Sequence, residues 1–332
     1  MFKNINMILF SSTLIIGTLI SISSNSWLGA WMGLEINLMS FIPLISEEKT
    51  LPANESALKY FLVQAIASSI LLFSIILIYN KMFQNVMEII LNSSLLLKMG
   101  AAPFHFWFPE VMEGLNWISS FILMTWQKIA PIILISYSFN VHFMCFVIIS
   151  SIILGSVGGF NQTNLRSLMA YSSINHIGWM LSSLLISINY WLIYFSIYVC
   201  ISLSIILYFF KTNIFYFNQM FSTFNNNPIN KFMLFCNFLS LGGLPPFTGF
   251  LPKWLIIQNL STDYTFTITL MVVFTLMTLF FYIRVMFSAL TIFSSTISWN
   301  NNHKIFLDPF SMIMNFVSLF LLISIIFFYK IM

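Results

Sequence analysis

Charged side chains are scarce in this sequence, and their scarcity excludes a water-soluble globular protein. Asp, Glu, Lys and Arg make up 7% of the 332 residues, whereas soluble domains contain about 25%. Hydrophobic residues account for 59%, and the mean hydropathy is +0.93. Apolar runs of about 20 residues, the length that crosses a bilayer, recur from end to end. The sequence therefore predicts an all-α polytopic membrane protein.

Paired cysteines and nucleotide-binding loops are also missing. Cys145, Cys200 and Cys236 sit singly in apolar runs, so iron–sulfur, structural zinc and disulfide interpretations lack their ligands. Neither GxxxxGK[ST] nor GxGxxG occurs. The formal charge of +4 is spread over short loops, which bears on membrane orientation rather than on nucleic acid. We expect no redox centre, cofactor or metal in this chain and no nucleic-acid partner.

The hydropathy pattern predicts eleven transmembrane helices in a single membrane domain. Their positions are about 4–23, 26–46, 58–79, 86–108, 117–138, 141–158, 167–186, 189–210, 231–258, 265–288 and 311–330. Most connections between them are short, so we expect no extramembrane domain.

Basic residues in the loops indicate the orientation. With alternating loops, one side of the membrane receives eight basic residues: Lys3, Lys49, Lys59, Arg166, Lys211, Lys231, Arg284 and Lys304. The other side receives only Lys81 and Lys330. Positive charge accumulates on the inner side of membrane proteins. We therefore expect the N-terminus inside and, after eleven crossings, the C-terminus outside.

The predicted helices show a weak internal symmetry. Two sets of five, about 4–138 and 141–288, precede the final helix at about 311–330, and an odd number of crossings makes the second set inverted. The fourth helix of each set is broken, by Gly and Pro at 100–103 and at 242–246. Broken helices at matching places in inverted repeats indicate an ion path in transporters. Water or polar side chains must line each gap, because lipid cannot satisfy freed backbone groups.

Glu35 and Lys98 are ionisable residues predicted near mid-membrane. Even lenient scales assign about 2.5–3.5 kcal/mol to a charge at that depth. Burial disfavours the charged amine and a nearby carboxylate favours it, so a lysine whose partner moves changes its proton affinity. The alternative is a static Glu35–Lys98 ion pair that only locks two helices. Gly29 and Gly33 beside Glu35 are interpreted as helix-packing positions.

Lys128 and Lys253 extend the set of deep lysines. Glu35 is the one acid predicted deep in the first set, and one acid cannot neutralise both Lys98 and Lys128. At least one of these amines should therefore be neutral part of the time or face water. Lys253 follows the second break, but a lysine extending its amine to the membrane surface is an alternative there.

His176 completes the candidate set. It lies in a polar stripe with Tyr171, Ser172, Ser173 and Asn175, and histidine titrates near neutrality. It suits a proton relay between Lys128 and Lys253, although a hydrogen-bonded core histidine is nearly as good an interpretation. His105, after the first break, is equally ambiguous.

Three segments carry a resemblance to a known family: NSWLGAWMGLE at 25–35, KMGAAPFHFW at 98–107 and GGLPPFTGFLPK at 242–253. Together they resemble the NADH–ubiquinone oxidoreductase chain 2 family of respiratory complex I. The likeness extends over nearly the whole chain and is to the short animal, insect-type mitochondrial form, which has eleven spans rather than the fourteen of bacterial relatives.

The resemblance implies an antiporter-like fold in the mitochondrial inner membrane, with the N-terminus in the matrix and the C-terminus in the intermembrane space. It implies that Glu35 is the acidic partner, Lys98 the paired central lysine, Lys128 the connecting lysine and Lys253 the distal exit lysine. NADH, FMN, iron–sulfur clusters and ubiquinone would be bound by other subunits. Chain 4L and chain 4 would be the neighbours of this subunit.

The hypothesis is a core subunit of proton-pumping NADH:ubiquinone oxidoreductase, in which redox chemistry elsewhere drives protons through these side chains. One rival is a stand-alone Na⁺/H⁺ antiporter, but sodium prefers oxygen ligands and Glu35 is the one deep carboxylate available. A second rival is a scaffold that only holds neighbouring subunits together.

Overall fold

The computed structural model describes residues 5–46, 50–79, 84–217, 219 and 228–291, and the predicted helix at 311–330 lies outside them. The described residues form thirteen helices. They are α1 (Ile5–Ser23), α2 (Trp27–Ser46), α3 (Leu51–Tyr79), α4 (Gln84–Met99), α5 (Trp107–Gly114), α6 (Trp117–Met124), α7 (Trp126–Tyr137), α8 (Val141–Gly159), α9 (Leu165–Leu184), α10 (Ile188–Thr212), α11 (Pro228–Gly242), α12 (Phe250–Leu260) and α13 (Thr265–Thr291).

Seven of the described segments are long and apolar enough to cross a membrane: α1, α2, α3, Trp117–Tyr137 (α6 with α7), α8, α10 and Thr265–Phe287 of α13. The chain is therefore a multi-pass membrane protein. The predicted total of eleven spans stays a prediction, because the remaining helices are either interrupted or more polar.

The chain divides into two compact units, Met1–Ser151 and Ile152–Met332. In the first unit α1 packs along α2, α2 contacts α3, and α3 packs against α4 and α5. The α1–α2 contact is close because a Cβ on Gly33 would lie 2.5 Å from the Ser21 backbone nitrogen. The packing interpretation is thus confirmed for Gly33. Gly29 differs, since its Cβ would meet Ser24 and Ser26 of the α1–α2 turn rather than a helix.

The second unit is organised around α9, which is buried along nearly its whole length. It contacts α10 and α12, while α11 packs against α10 and α13. Because α9 does not face lipid, it tolerates polar residues. Its serine hydroxyls donate to carbonyls one turn back, as in Ser172 to Met169 and Ser173 to Ala170, both within 2.8 Å. Burial inside the protein therefore explains how α9 accommodates its polar residues.

Two helical interruptions lie where the glycine and proline pattern predicts them. The first separates α4 from α5 over residues 100–106, and the second separates α11 from α12 over residues 243–249. Each begins with a glycine in the left-handed conformation, Gly100 at φ +73° and Gly243 at φ +86°. In each, the residue after the glycine donates its N–H to the carbonyl five positions back. Both helices therefore end in the same glycine-dependent motif.

Candidate functional site

Lys98 and Glu35 lie in the first unit and interact electrostatically. Lys98 is the penultimate residue of α4 and is 6% exposed. Glu35, half-buried in the middle of α2, is close enough for its charge to act on the Lys98 amine. Within the described part of the chain, neither Glu35 Oε1 nor Lys98 Nζ has a hydrogen-bond partner, and no ion pair joins them. The structure therefore does not contain the closed Glu35–Lys98 ion pair of the static alternative.

Polar side chains line the first interruption, as the sequence predicts. Gln64 Nε2 on α3 donates to the carbonyl of Lys98 at 3.2 Å, and Trp107 Nε1 on α5 donates to the carbonyl of Leu97 at 3.0 Å. The end of α4 leaves its last carbonyls short of the usual helical donors, although Leu97 still accepts from the Gly100 N–H at 3.1 Å. Gln64 was not among the predicted site residues, although a lone amide in an apolar span was a usable signal.

Lys128 lies in the first turn of α7 and is 1% exposed. Its position depends on a break within the predicted helix 117–138, at Thr125 between α6 and α7, where φ is −116° and ψ is −70°. The adjacent Gln127 and Asn37 of α2 exchange two amide hydrogen bonds of 2.8 and 3.0 Å. This pair ties the start of α7 to α2, the helix that carries Glu35.

Lys253 is turned inward rather than towards the membrane surface. Its Nζ donates to the carbonyls of Leu241 at 3.0 Å and Gly242 at 2.9 Å, the last residues of α11, and the side chain is 7% exposed. A helix C-terminus carries partial negative charge, which suits an ammonium group. The alternative of a lysine that extends to the surface does not describe this geometry.

His176 lies in the second unit, where it is 7% exposed and its Nδ1 is 2.8 Å from the hydroxyl of Tyr194 on α10. It lines a small cavity with Tyr198, Ser240 and Leu241, among others, and the space available to the centre of a water molecule is about 10 Å³. That is close to the minimum for one water. The cavity therefore places the histidine beside a backbone segment that also binds Lys253.

His105 lies at the first interruption and is 4% exposed. Its Nδ1 is 3.3 Å from the carbonyl of Pro103. The candidate residues thus fall into two groups, with Glu35, Lys98 and Lys128 in the first unit and His176 and Lys253 in the second.

Replacing Gly243 with alanine tests the second interruption. At φ +86° an alanine costs about 1–2 kcal/mol in backbone conformation, and its Cβ would lie 2.9 Å from Cδ and 3.1 Å from Nζ of Lys253. We expect lower thermal stability of the assembled protein together with displacement of the Lys253 amine.

The matched control is Gly242→Ala. Gly242 ends α11, and the nearest atom to its added Cβ is Leu279 Cγ at 3.4 Å, an ordinary contact. Equal melting temperatures for the two variants would contradict the role assigned to Gly243.

Comparisons with known proteins show the family to which this chain belongs. Residues 24–280 match the family model described as NADH:quinone oxidoreductase/Mrp antiporter, transmembrane. The chain is 53% identical to NADH-ubiquinone oxidoreductase chain 2 of Anopheles gambiae, over 99% of this chain and 100% of that one. It is 54% identical to the protein of the same name from Aedes aegypti, over 99% and 100%.

A solved structure shares the fold. A chain of respiratory complex I from Thermus thermophilus with bound aureothin superimposes with a TM-score of 0.86 at 20% identity, covering 98% of this chain and 78% of that one. The family model and the two insect relatives show the family. This chain belongs to the NADH-ubiquinone oxidoreductase chain 2 family.

Proposed function

We propose that this chain is the membrane subunit of NADH:ubiquinone oxidoreductase in which Glu35, Lys98, Lys128, His176 and Lys253 carry protons across the bilayer. The observation that carries the proposal is the open arrangement of Glu35 and Lys98 beside the first interruption. The attraction between two opposite charges is little screened in a low-dielectric interior, so its energy changes when the two groups move apart.

The mechanism begins with protonated Lys98, stabilised by the Glu35 carboxylate. Redox chemistry in other subunits moves Glu35 and Lys98 apart, and the buried ammonium then favours its neutral form. The released proton passes to Lys128. When Glu35 and Lys98 approach again, Lys98 takes up a new proton and the site is reloaded.

The second part of the route runs from Lys128 through His176 to Lys253. The cavity beside His176 supports this step, because one water there could hydrogen-bond to the imidazole and to the Leu241 carbonyl that accepts from Lys253. Tyr194 holds the imidazole through Nδ1 and so orients it. Lys253 is then the last protein group before the proton leaves.

The membrane topology, location and partner subunits of this chain are proposed from the family and the sequence. We propose eleven transmembrane helices arranged as two inverted five-helix repeats and a final helix, which the matching interruptions at 100–106 and 243–249 support. The chain would lie in the mitochondrial inner membrane, with its N-terminus in the matrix and its C-terminus in the intermembrane space. Chain 4L and chain 4 would be its neighbours, and NADH, FMN, iron–sulfur clusters and ubiquinone would bind to partner subunits.

The family model also covers Mrp antiporters, so a stand-alone Na⁺/H⁺ antiporter is the rival to test. Na⁺-driven H⁺ transport by the purified chain alone in liposomes would favour the antiporter. Migration of the chain in a native gel within a large complex that has NADH dehydrogenase activity would favour the oxidoreductase subunit.

Glu35→Gln in the assembled enzyme tests the central proposal. The amide keeps the shape of the side chain but removes the charge that favours protonated Lys98. We expect a large loss in protons translocated per NADH oxidised, with the amount of assembled complex close to normal. Proton uptake by vesicles during NADH oxidation measures this ratio.

Glu110→Gln is the matched control. Glu110 is an exposed acid on α5 whose Oε2 lies 3.2 Å from Lys59 Nζ, and exposed ion pairs contribute little. The proposal is wrong if Glu35→Gln and Glu110→Gln give the same, unchanged ratio.

A further inference from the structure

Two buried lysines have their amines over aromatic rings. Lys128 Nζ lies 5.5 Å from the ring centroid of Phe108, and Lys253 Nζ lies 5.8 Å from that of Trp179. Both distances fall within the range of about 6 Å in which a ring face attracts a cation. Among the described residues Lys98 is the third buried lysine, and its nearby charge is the Glu35 carboxylate. The two contacts therefore distinguish Lys128 and Lys253 from Lys98.

The Phe108 ring is held firmly in place. Its exposure is 1%, and it makes an edge contact with the Trp107 ring at a centroid distance of 5.5 Å. On another side the ring lies against Gly100, where an added Cβ would lie 2.9 Å from Phe108 Cδ2. A ring fixed by its surroundings loses no further side-chain entropy when an ammonium settles against it.

The Trp179 ring is equally buried at 1% exposure. Its indole N–H has no acceptor among the residues that the structure describes. An unpaired buried donor carries a desolvation cost, so hydrogen bonding within this part of the chain does not account for a tryptophan here. Tryptophan does offer the most favourable face to a cation.

We propose that Phe108 and Trp179 are positioning residues, which hold the ammonium groups of Lys128 and Lys253 by cation–π contact while each amine carries a proton. The inference rests on the proposed function, because it concerns the same relay. Shielded from water, such a face favours a charged over a neutral amine by up to about thirtyfold. Each ring thereby stabilises the protonated lysine that holds the proton during its transfer.

The test is a double-mutant cycle in the assembled enzyme, which isolates the pairwise interaction. Phe108→Leu removes the ring face, and Phe108→Tyr keeps it; each is made alone and together with Lys128→Met. Trp179→Leu and Trp179→Phe are combined with Lys253→Met in the same way. The thermal dissociation temperature of the complex and the protons moved per NADH are measured for every variant.

We expect Phe108→Leu to lower the dissociation temperature by several degrees when Lys128 is present and by clearly less in the Lys128→Met background. Phe108→Tyr keeps the ring face, so we expect it to translocate protons at the normal ratio. If Phe108→Leu alone fails to assemble, the double variant Phe108→Leu/Lys128→Met tests the inference. Methionine at position 128 removes the charge that the ring stabilises, so we expect this double variant to assemble.

Equal losses in the lysine and methionine backgrounds would overturn the inference, because Phe108 would then only fill space. If the losses were equal while Lys128→Met stopped proton translocation, the proposed function would stand and the inference about the aromatic contact would be wrong. If Lys128→Met translocated protons normally while the double-mutant cycle still showed an interaction between Phe108 and Lys128, the aromatic contact would stand and the proposed function would be wrong. Phe215→Leu is the control, because its ring faces Arg166 at 4.7 Å where both side chains are half-exposed, and such pairs contribute little.

Discussion

Lys128→Met is expected to stop proton passage through this subunit while leaving the assembled enzyme stable. Lys128 is 1% exposed at the start of α7, so its amine is available only to groups inside the protein. Methionine has a similar length and volume but carries no proton. The proton ratio per NADH should therefore fall, and NADH oxidation should slow to the extent that electron transfer is coupled.

The stability expectation separates this variant from a folding defect. Burying a charged group is costly, so a well-packed apolar side chain of similar size in its place should be neutral or stabilising. Assembly and thermal stability should thus match or exceed those of the unmodified enzyme. Vesicle proton uptake and native gels measure the two properties independently.

Lys59→Met is the control for Lys128→Met. Lys59 is 43% exposed in its side chain and binds Glu55 and Glu110 at 3.1 and 3.2 Å. Its loss should leave the proton ratio unchanged. A full proton ratio in Lys128→Met at normal assembly would refute the relay and favour a scaffold.

Gly249→Ala is expected to have the largest effect on stability. An added Cβ would lie 1.7 Å from the Ser240 carbonyl oxygen and 2.7 Å from its carbon. Backbone atoms near the end of α11 cannot move aside as a flexible side chain can. Overpacking costs typically about 1–3 kcal/mol, and an overlap with backbone belongs at or above the upper end.

The consequence should extend to the site, because Gly249 immediately precedes α12, which carries Lys253. We expect little assembled complex on a native gel and a lower melting temperature for what does assemble. Gly242→Ala is again the control, since its Cβ meets only ordinary contacts. Normal amounts of Gly249→Ala complex, melting at the usual temperature, would show that α11 and α12 do not approach as closely as described.

The structure bears on two alternatives that the sequence leaves open, one for Glu35 with Lys98 and one for Lys253. Glu35 and Lys98 interact without closing into an ion pair, and Lys253 binds carbonyls at the end of α11 instead of reaching for water. The first finding is inconsistent with a closed Glu35–Lys98 ion pair, and the second is inconsistent with a Lys253 amine at the membrane surface. The route that joins the five candidate residues remains a proposal, and the variants above are its test.

Local chemistry in the sequence determined the membrane character of the chain and the places where its helices break. Hydropathy is a sum over neighbouring residues, and the glycine–proline segments at 100–103 and 242–246 end a helix wherever they occur. The predicted positions of Glu35, Lys98 and Lys128 near mid-membrane follow from the same hydropathy sums. These features required no knowledge of which helices touch.

Only the tertiary structure decided which partners these side chains meet. Gln64 reaches the Lys98 carbonyl from 34 positions away, and Asn37 pairs with Gln127 from 90 positions away. Such contacts depend on helix packing, and the periodicity of one helix does not specify the rotation of the next. The long side chain of Lys253 could likewise extend to the membrane surface or turn inward. The carbonyls at the end of α11 accept hydrogen bonds from its amine, which makes the inward direction favourable.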